Sequence, residues 1–492
     1  MGNIYLKRFV SSCLGILIAF VLSVPASSAD TNTESCKPLN ANGQSVNLGL
    51  PRSSLLLPSL GKVKVLVAGV DFSNARDTGT VEQMLAGFEL SAVKDFFSTA
   101  SYGKLSLEFT LVSEILKLPI ADLGVNESTI SRETAKIVPA SYKFSDYSAL
   151  LIVTSKNSSY SSSTASASSI VENATGRITN YSVLAGIKPN ESRWLSSPWR
   201  TVAHEIGHLL GLMDLWNRED STAWQGQTAA PFSLMNTGAG WGYAADFFGW
   251  EKWVLGWIPE SSMKCISSGV NEEVIQMATL GSSEGVRLVV IPISTTKVIA
   301  IEYRARNTID FGITKSGVLV YIVDTTKKNF ELPITLVPSE ESLQQPFNQN
   351  LKDYERYKKA PLAKYQMVET NGVKIANLGI LENRGLLLSR LPISEVRQQL
   401  TKLESLERAE AEAKAAAELK AKQETEAKAA AELKAKAEAE AKVAAELKAK
   451  LEAEATAKAA AAKKKTITCI RGKTKKKVTA IKPKCPKGYK KK

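Results

Sequence analysis

Histidine is almost missing from this chain: its 492 residues include two. No histidine-based metal or acid–base centre can therefore exist beyond the one those two residues build. Aromatic residues make up only 7% of the chain, and the cysteines number five. After the first 24 residues no stretch is long and apolar enough to span a bilayer, which takes about 20 such residues. Residues 394–465 contain neither glycine nor proline, so nothing in those 72 positions breaks a helix. Acids are absent from residues 463–492, where Lys and Arg number 14 and so equal the whole formal net charge of +14. Everything before residue 463 balances to zero, and any affinity for a polyanion belongs to the tail.

Both histidines lie in residues 201–215, TVAHEIGHLLGLMDL. His204 and His208 are four apart, so on a helix they share a face and can point at one metal ion. Glu205 stands beside the first of them, where a carboxylate can hold and deprotonate a water next to the metal. Gly211 follows where the helix must stop, because glycine takes the left-handed conformation that turns a chain back. That turn brings Asp214 round as a third ligand, with Asp246 and Glu251 as the alternatives for its place. Three protein ligands with an open fourth position are what catalytic zinc requires, so the expected cofactor is Zn2+.

The N-terminus reads as a secretory signal over residues 1–29. Lys7 and Arg8 precede an uncharged, mostly apolar run, and small residues around Ala26 and Ala29 supply cleavage sites. Export leaves Cys36, Cys265, Cys469 and Cys485, and an exported chain favours disulfides. Four cysteines allow three pairings. The expected one joins the near neighbours Cys469 and Cys485 and leaves Cys36 with Cys265.

A lead-in occupies residues 30–60, and an α/β unit that carries the metal helix is expected over 61–270. KVKVLVAGVDF at 62–72 is a Val-rich buried strand, 80–99 is amphipathic with helical spacing, and ALLIVT at 149–154 is a second central strand. The Ser-rich stretch 157–169 is expected to be a flexible loop. A β-rich accessory domain follows at 271–393, with strands at 286–291, 298–304 and 317–323 and a polar, exposed insertion at 340–364. Residues 394–465 form a helical stalk in which EAKAAAELKAK returns with a period of 14 residues. Its leucines, Leu419, Leu433 and Leu447, come once per two heptads, too sparse for a coiled-coil seam, so a solvated single helix is expected. Residues 466–492 complete the chain as a Lys-rich hairpin suited to an anionic cell-wall polymer. One aromatic, Tyr489, provides no stacking platform for nucleic acid.

The segments VLVAGVDF, DFFSTASYGKLSL, HEIGHLLGLMDL, SLM and GWEKWVLGWI, in this order, resemble the immune-inhibitor-A-like secreted bacterial metallopeptidases, a metzincin-type group of zinc peptidases. The resemblance covers about residues 60–260. It implies a metzincin-like domain in which His204, His208 and Asp214 hold zinc and Glu205 is the general base. Met235 would be the supporting methionine in a turn beneath the metal, and Tyr243 is the tyrosine nearest to that turn. Aspartate as the third ligand departs from the commoner histidine of metzincins. The activity implied is that of a secreted zinc endopeptidase acting on a protein or peptide substrate. The competing class is a non-catalytic surface-binding protein built on a peptidase-like scaffold.

Overall fold

The Val-rich run at 62–72 has no polar face to give to water, and it becomes a strand buried on both sides. In the computed structural model, which describes residues 33–187, 197–217, 232–236, 246–267, 269–306, 309–310, 312–344 and 357–492, this is β1, Gly61–Asp71. The signal segment and Tyr243 lie outside the described residues. Val63, Val65 and Val67 enter one core cluster, while Leu66, Ala68 and Val70 enter another on the opposite face. Strands β2 (Leu105–Leu111), β3 (Ala149–Thr154), β4 (Thr164–Ser166) and β5 (Tyr181–Leu184) pair in the order β2-β1-β3-β5-β4, and the two-residue strand Leu116–Lys117, parallel to the end of β1, is the sixth of the sheet. All of these pairs are parallel except β4 with β5, which is antiparallel and places β4 at the edge. Helix α1 (Leu90–Ala100) covers the first face through Val93, Phe96 and Phe97, and α2 (Glu127–Ile137) covers the second through Ile130 and Ala135.

β4 corrects the expectation of a flexible loop at 157–169. Alternation is hard to see in a Ser-rich stretch, yet the Ser182 hydroxyl donates to the Thr164 carbonyl at 2.8 Å and the ladder closes around it.

A second sheet starts with β6 (Met263–Cys265) and, skipping β7 (Glu272–Ile275), continues through β8 (Leu288–Pro292), β9 (Lys297–Arg304), β10 (Gly317–Asp324) and β11 (Ile334–Leu336). Its order is β11-β10-β9-β8-β6. Strands β12 (Met367–Thr370), β13 (Val373–Asn377) and β14 (Leu386–Ser389) make a third sheet with β7, in the order β7-β14-β13-β12. One face of the second sheet (Leu288, Val290, Val298, Ala300, Leu319, Tyr321) shares a core cluster with β1 and α1, and its other face (Val289, Ile299, Ile301, Val320) packs on the third sheet. The fold is thus mixed α/β in stacked layers. Of the expected insertion at 340–364, residues 345–356 lie outside the described residues, but its end is not exposed. Ala360 and Leu362 are buried, and Leu362 trades backbone hydrogen bonds with Val318 at 2.8 and 3.1 Å.

Charges are buried where the second sheet meets the segments at 232–236 and 246–258, the latter carrying the short helix α4 (Gly249–Val254). Arg304, fully buried, makes a fork to Asp310 at 2.6 and 2.9 Å and bonds Glu302 at 2.9 Å and the Phe232 carbonyl at 2.9 Å. Glu302 also accepts the Tyr321 hydroxyl at 2.7 Å, and Asp246 pairs with the buried Lys252.

Residues 33–401 form one compact unit, and residues from Lys402 on form a second. Both expected disulfides are present, Cys36–Cys265 in the first unit and Cys469–Cys485 in the second. Helix α5 spans Ile393–Ala462, 70 residues; its first turns are covered at Val396 and Leu400, but Leu419, Leu433 and Leu447 are 59%, 69% and 59% exposed, so no apolar stripe is covered along its repeats. The second unit ends in β15 (Lys465–Arg471), β16 (Thr474–Ala480) and β17 (Lys490–Lys491) in the order β16-β15-β17. No helix among the described residues is long and apolar enough to cross a membrane.

Replacing Arg304 by Met should lower stability by roughly 3–5 kcal/mol, because Glu302 and Asp310 stay buried without their cation. Urea denaturation of the two proteins measures it.

Candidate metal centre

Helix α3, Pro198–Leu209, begins on Pro198, whose ring is set for the first helical turn. Val202, Ala203, Ile206 and Leu209 face the core, which leaves His204, Glu205 and His208 to line a cleft of about 490 Å³. The helix ends as its sequence requires. Gly211 has φ +97°, its N–H bonds the His208 carbonyl at 2.9 Å, and Leu212 N–H bonds the Gly207 carbonyl at 3.0 Å. The returning chain brings Asp214 to the two imidazoles.

Each ring is oriented by a backbone carbonyl. His204 Nδ1 lies 2.9 Å from the Leu234 oxygen, and His208 Nδ1 lies 2.9 Å from the Leu212 oxygen. A carbonyl only accepts, so both Nδ1 atoms carry the proton, and in the neutral rings both Nε2 atoms present bare lone pairs. Those Nε2 atoms are 3.1 Å apart, and the Asp214 carboxylate oxygens lie 3.2 Å from His204 Nε2 and 3.5 Å from His208 Nε2. Three acceptors turned to one point leave room for a cation among them. Bonds of about 2.0–2.1 Å to a tetrahedral ion would separate its ligands by about 3.3–3.5 Å, so donor type and spacing both fit. His204, His208 and Asp214 form a group that can hold a metal ion.

The electrostatics favour positive charge at this point, which a proton on an imidazole can supply as well as a metal ion. Burial alone would depress His208, but the charge and hydrogen bond of Asp214 outweigh it and lift the pKa to about 9. Burial pushes Asp214 up, and the two imidazoles more than reverse that, holding its carboxyl well below the usual carboxylate range. Burial raises the Glu205 carboxyl against the pull of both histidines, which moves it toward the range useful in a proton carrier.

Met235 lies under the helix. A Cβ on Gly207 would come within 2.4 Å of the Met235 sulfur, so the glycine between the histidines admits the methionine. The same turn supplies the Leu234 carbonyl to His204. Ser233 holds it, accepting the Met235 N–H at 3.1 Å and donating to Glu251 at 2.8 Å. The two alternative third ligands are engaged elsewhere. Glu251 accepts from Ser233 and from the Phe248 N–H at 2.8 Å, with its pKa raised by burial to about 8, and Asp246 pairs with Lys252.

No protein-family model matches this chain, and no curated protein shows significant similarity to it.

Three residues at the centre carry no signal in the sequence. Trp216 Nε1 donates to one Asp214 oxygen at 3.1 Å, and Asn329 Nδ2 donates to the other at 3.0 Å. Phe330 packs against Trp216 with the rings tilted by 60° and their centres 4.7 Å apart, and both rings line the cleft.

Asp214→Ala should lose zinc affinity by more than the 10–100-fold typical of losing an outer hydrogen-bond partner, with the fold intact by circular dichroism. Competition with a graded series of chelators measures it. Stoichiometric zinc at wild-type affinity would remove Asp214 from the ligand set.

Proposed function

We propose that this chain is a secreted zinc-dependent endopeptidase of metzincin type. The observation that carries the proposal is Glu205, a buried carboxyl in the same cleft as two histidines whose Nε2 atoms converge on Asp214. Zinc bound by His204, His208 and Asp214 would polarise a substrate carbonyl and acidify a water beside it. Glu205 then takes a proton from the attacking water and passes it to the leaving nitrogen. Strand β4 supports a peptide substrate. It is the edge of its sheet, and Ser163, Thr164 and Ala165 line the cleft, so an extended backbone can pair along it. The scaffold alternative, a binding protein without catalysis, has no use for a general base placed beside an intact ligand set.

Glu205→Gln should keep its zinc and lose hydrolysis of a denatured-protein panel by about 10²–10⁴-fold. A Gln variant that retains most of the activity would overturn the assigned mechanism and favour the scaffold.

Export fits the two disulfides. The tail supplies the means of retention, since 14 basic residues without an acid would hold the enzyme to an anionic cell-wall polymer. Binding of this kind is screened within about 3 Å at 1 M salt. The full chain should therefore co-sediment with wall material at low salt and be released at about 1 M. A chain ending at Ala462 should cleave a soluble peptide as well as the full chain does yet stay in the supernatant. Wall binding that ignores salt or survives the truncation would place the anchor in the first unit.

A further inference from the structure

Asp214 lies beyond the end of the metal helix, on a segment with no regular structure of its own. A carboxylate on such a segment can rotate away from the metal unless something holds it. Two donors do so here, one on each oxygen. The Asn329 side chain makes a two-point contact. Its Oδ1 accepts the Asp214 backbone N–H at 2.7 Å, and its Nδ2 donates to the Asp214 carboxylate at 3.0 Å. Only one orientation of the amide satisfies both bonds, so main chain and side chain of Asp214 are fixed together. Trp216 Nε1 occupies the other oxygen, and both oxygens keep their remaining acceptor capacity for the centre.

Asn329 is itself held from a third part of the chain. Its N–H donates to Gln44 Oε1 at 3.1 Å. The N-terminal segment that carries Gln44 is stitched to the same loop by Asn42 Nδ2 on the Lys327 carbonyl at 2.9 Å and by the Thr325 hydroxyl on the Leu39 carbonyl at 2.6 Å. It is also stitched to the end of the metal helix, through Asn47 N–H on the Gly211 carbonyl at 3.2 Å and Leu57 N–H on the Leu209 carbonyl at 2.9 Å. The end of the metal helix that leads into Asp214 and the loop that carries Asn329 are thus tied to one strap.

We infer that Asn329, assisted by Trp216, is the positioning residue that sets Asp214 as a metal ligand, and that residues 39–57 form the strap that seats it. The inference rests on the metal-centre reading above and needs no assumption about hydrolysis. Outer partners that orient a metal ligand typically carry 10–100-fold in affinity.

Zinc affinity of the full chain, measured by chelator competition, tests it. Asn329→Ala should bind zinc about 10–100-fold more weakly, with unchanged circular dichroism. Trp216→Phe, which keeps the ring and removes the N–H, should lose several-fold. Glu331→Ala serves as the control. It removes the acceptor that the Lys328 N–H uses within the same loop, at 2.9 Å, without touching Asp214, and its affinity should stay close to wild type. A role in loop structure alone would make Glu331→Ala as damaging as Asn329→Ala, and that result overturns the inference. Folded Asn329→Ala and Trp216→Phe proteins with wild-type affinity also overturn it while leaving the metal centre standing. Should Asn329→Ala fail to fold, Trp216→Phe against Glu331→Ala decides by the same comparison. A wild-type chain that takes up no zinc defeats the centre and the inference with it.

Discussion

Two imidazole nitrogens 3.1 Å apart, bare whenever the rings are neutral because carbonyls on their far sides keep the proton at Nδ1, face a buried carboxylate. Nothing neutral relieves that arrangement, because all three groups accept and none donates. The rest of the first unit is arranged to tolerate it. The helix stops at Gly211 so that Asp214 can return, Gly207 makes way for Met235, and the Met235 turn offers the carbonyl that sets His204. Behind that turn the Arg304 cluster ties Phe232 and Phe247 to the second sheet through buried charges. Such a cluster contributes less to net stability than apolar packing of the same volume would, but it admits few other arrangements of the backbone around it.

What the sequence showed of this site was the part that is local. Helical periodicity puts His204 and His208 on one face, and a glycine three residues later announces the turn to Asp214. Both disulfides were legible because four cysteines leave few pairings, and β1 because a run of valines has nowhere to go but a core. What stayed hidden was long-range. Asn329 is an unremarkable polar residue 115 positions from Asp214, and no pattern in the chain connects them. The charges at Glu302, Arg304 and Asp310 carry no mark of burial, since sequence alone cannot show that each will meet its opposite. Strand β4 was concealed for a different reason. Its ladder is closed by hydroxyl and backbone bonds, which leave no hydrophobic alternation to read.

The N-terminal segment is worth comparing with the role that its position would suggest. In an exported peptidase of the kind proposed, a segment at this position would be a candidate for a removable inhibitor. Here Cys36 is bonded to Cys265 in the second sheet, and Trp250 and Trp257 donate their indole N–H groups to the carbonyls of Leu48 and Ser59. Cutting this strap away would expose tryptophans and strand buried donors, so it is part of the folded body.

If the proposed peptidase activity holds, the chain has to coexist with its own linker. The cleft beside β4 suits extended backbone with free amides, and α5 offers none, because the N–H groups along its 70 residues are spent on the helix itself. To be cut, the helix would first have to unwind locally. Alanine, glutamate, lysine and leucine resist that more than almost any other mixture. The composition that makes this segment look plain would also make it a poor substrate for such an activity, so the body and the basic end could stay joined among many copies of the chain.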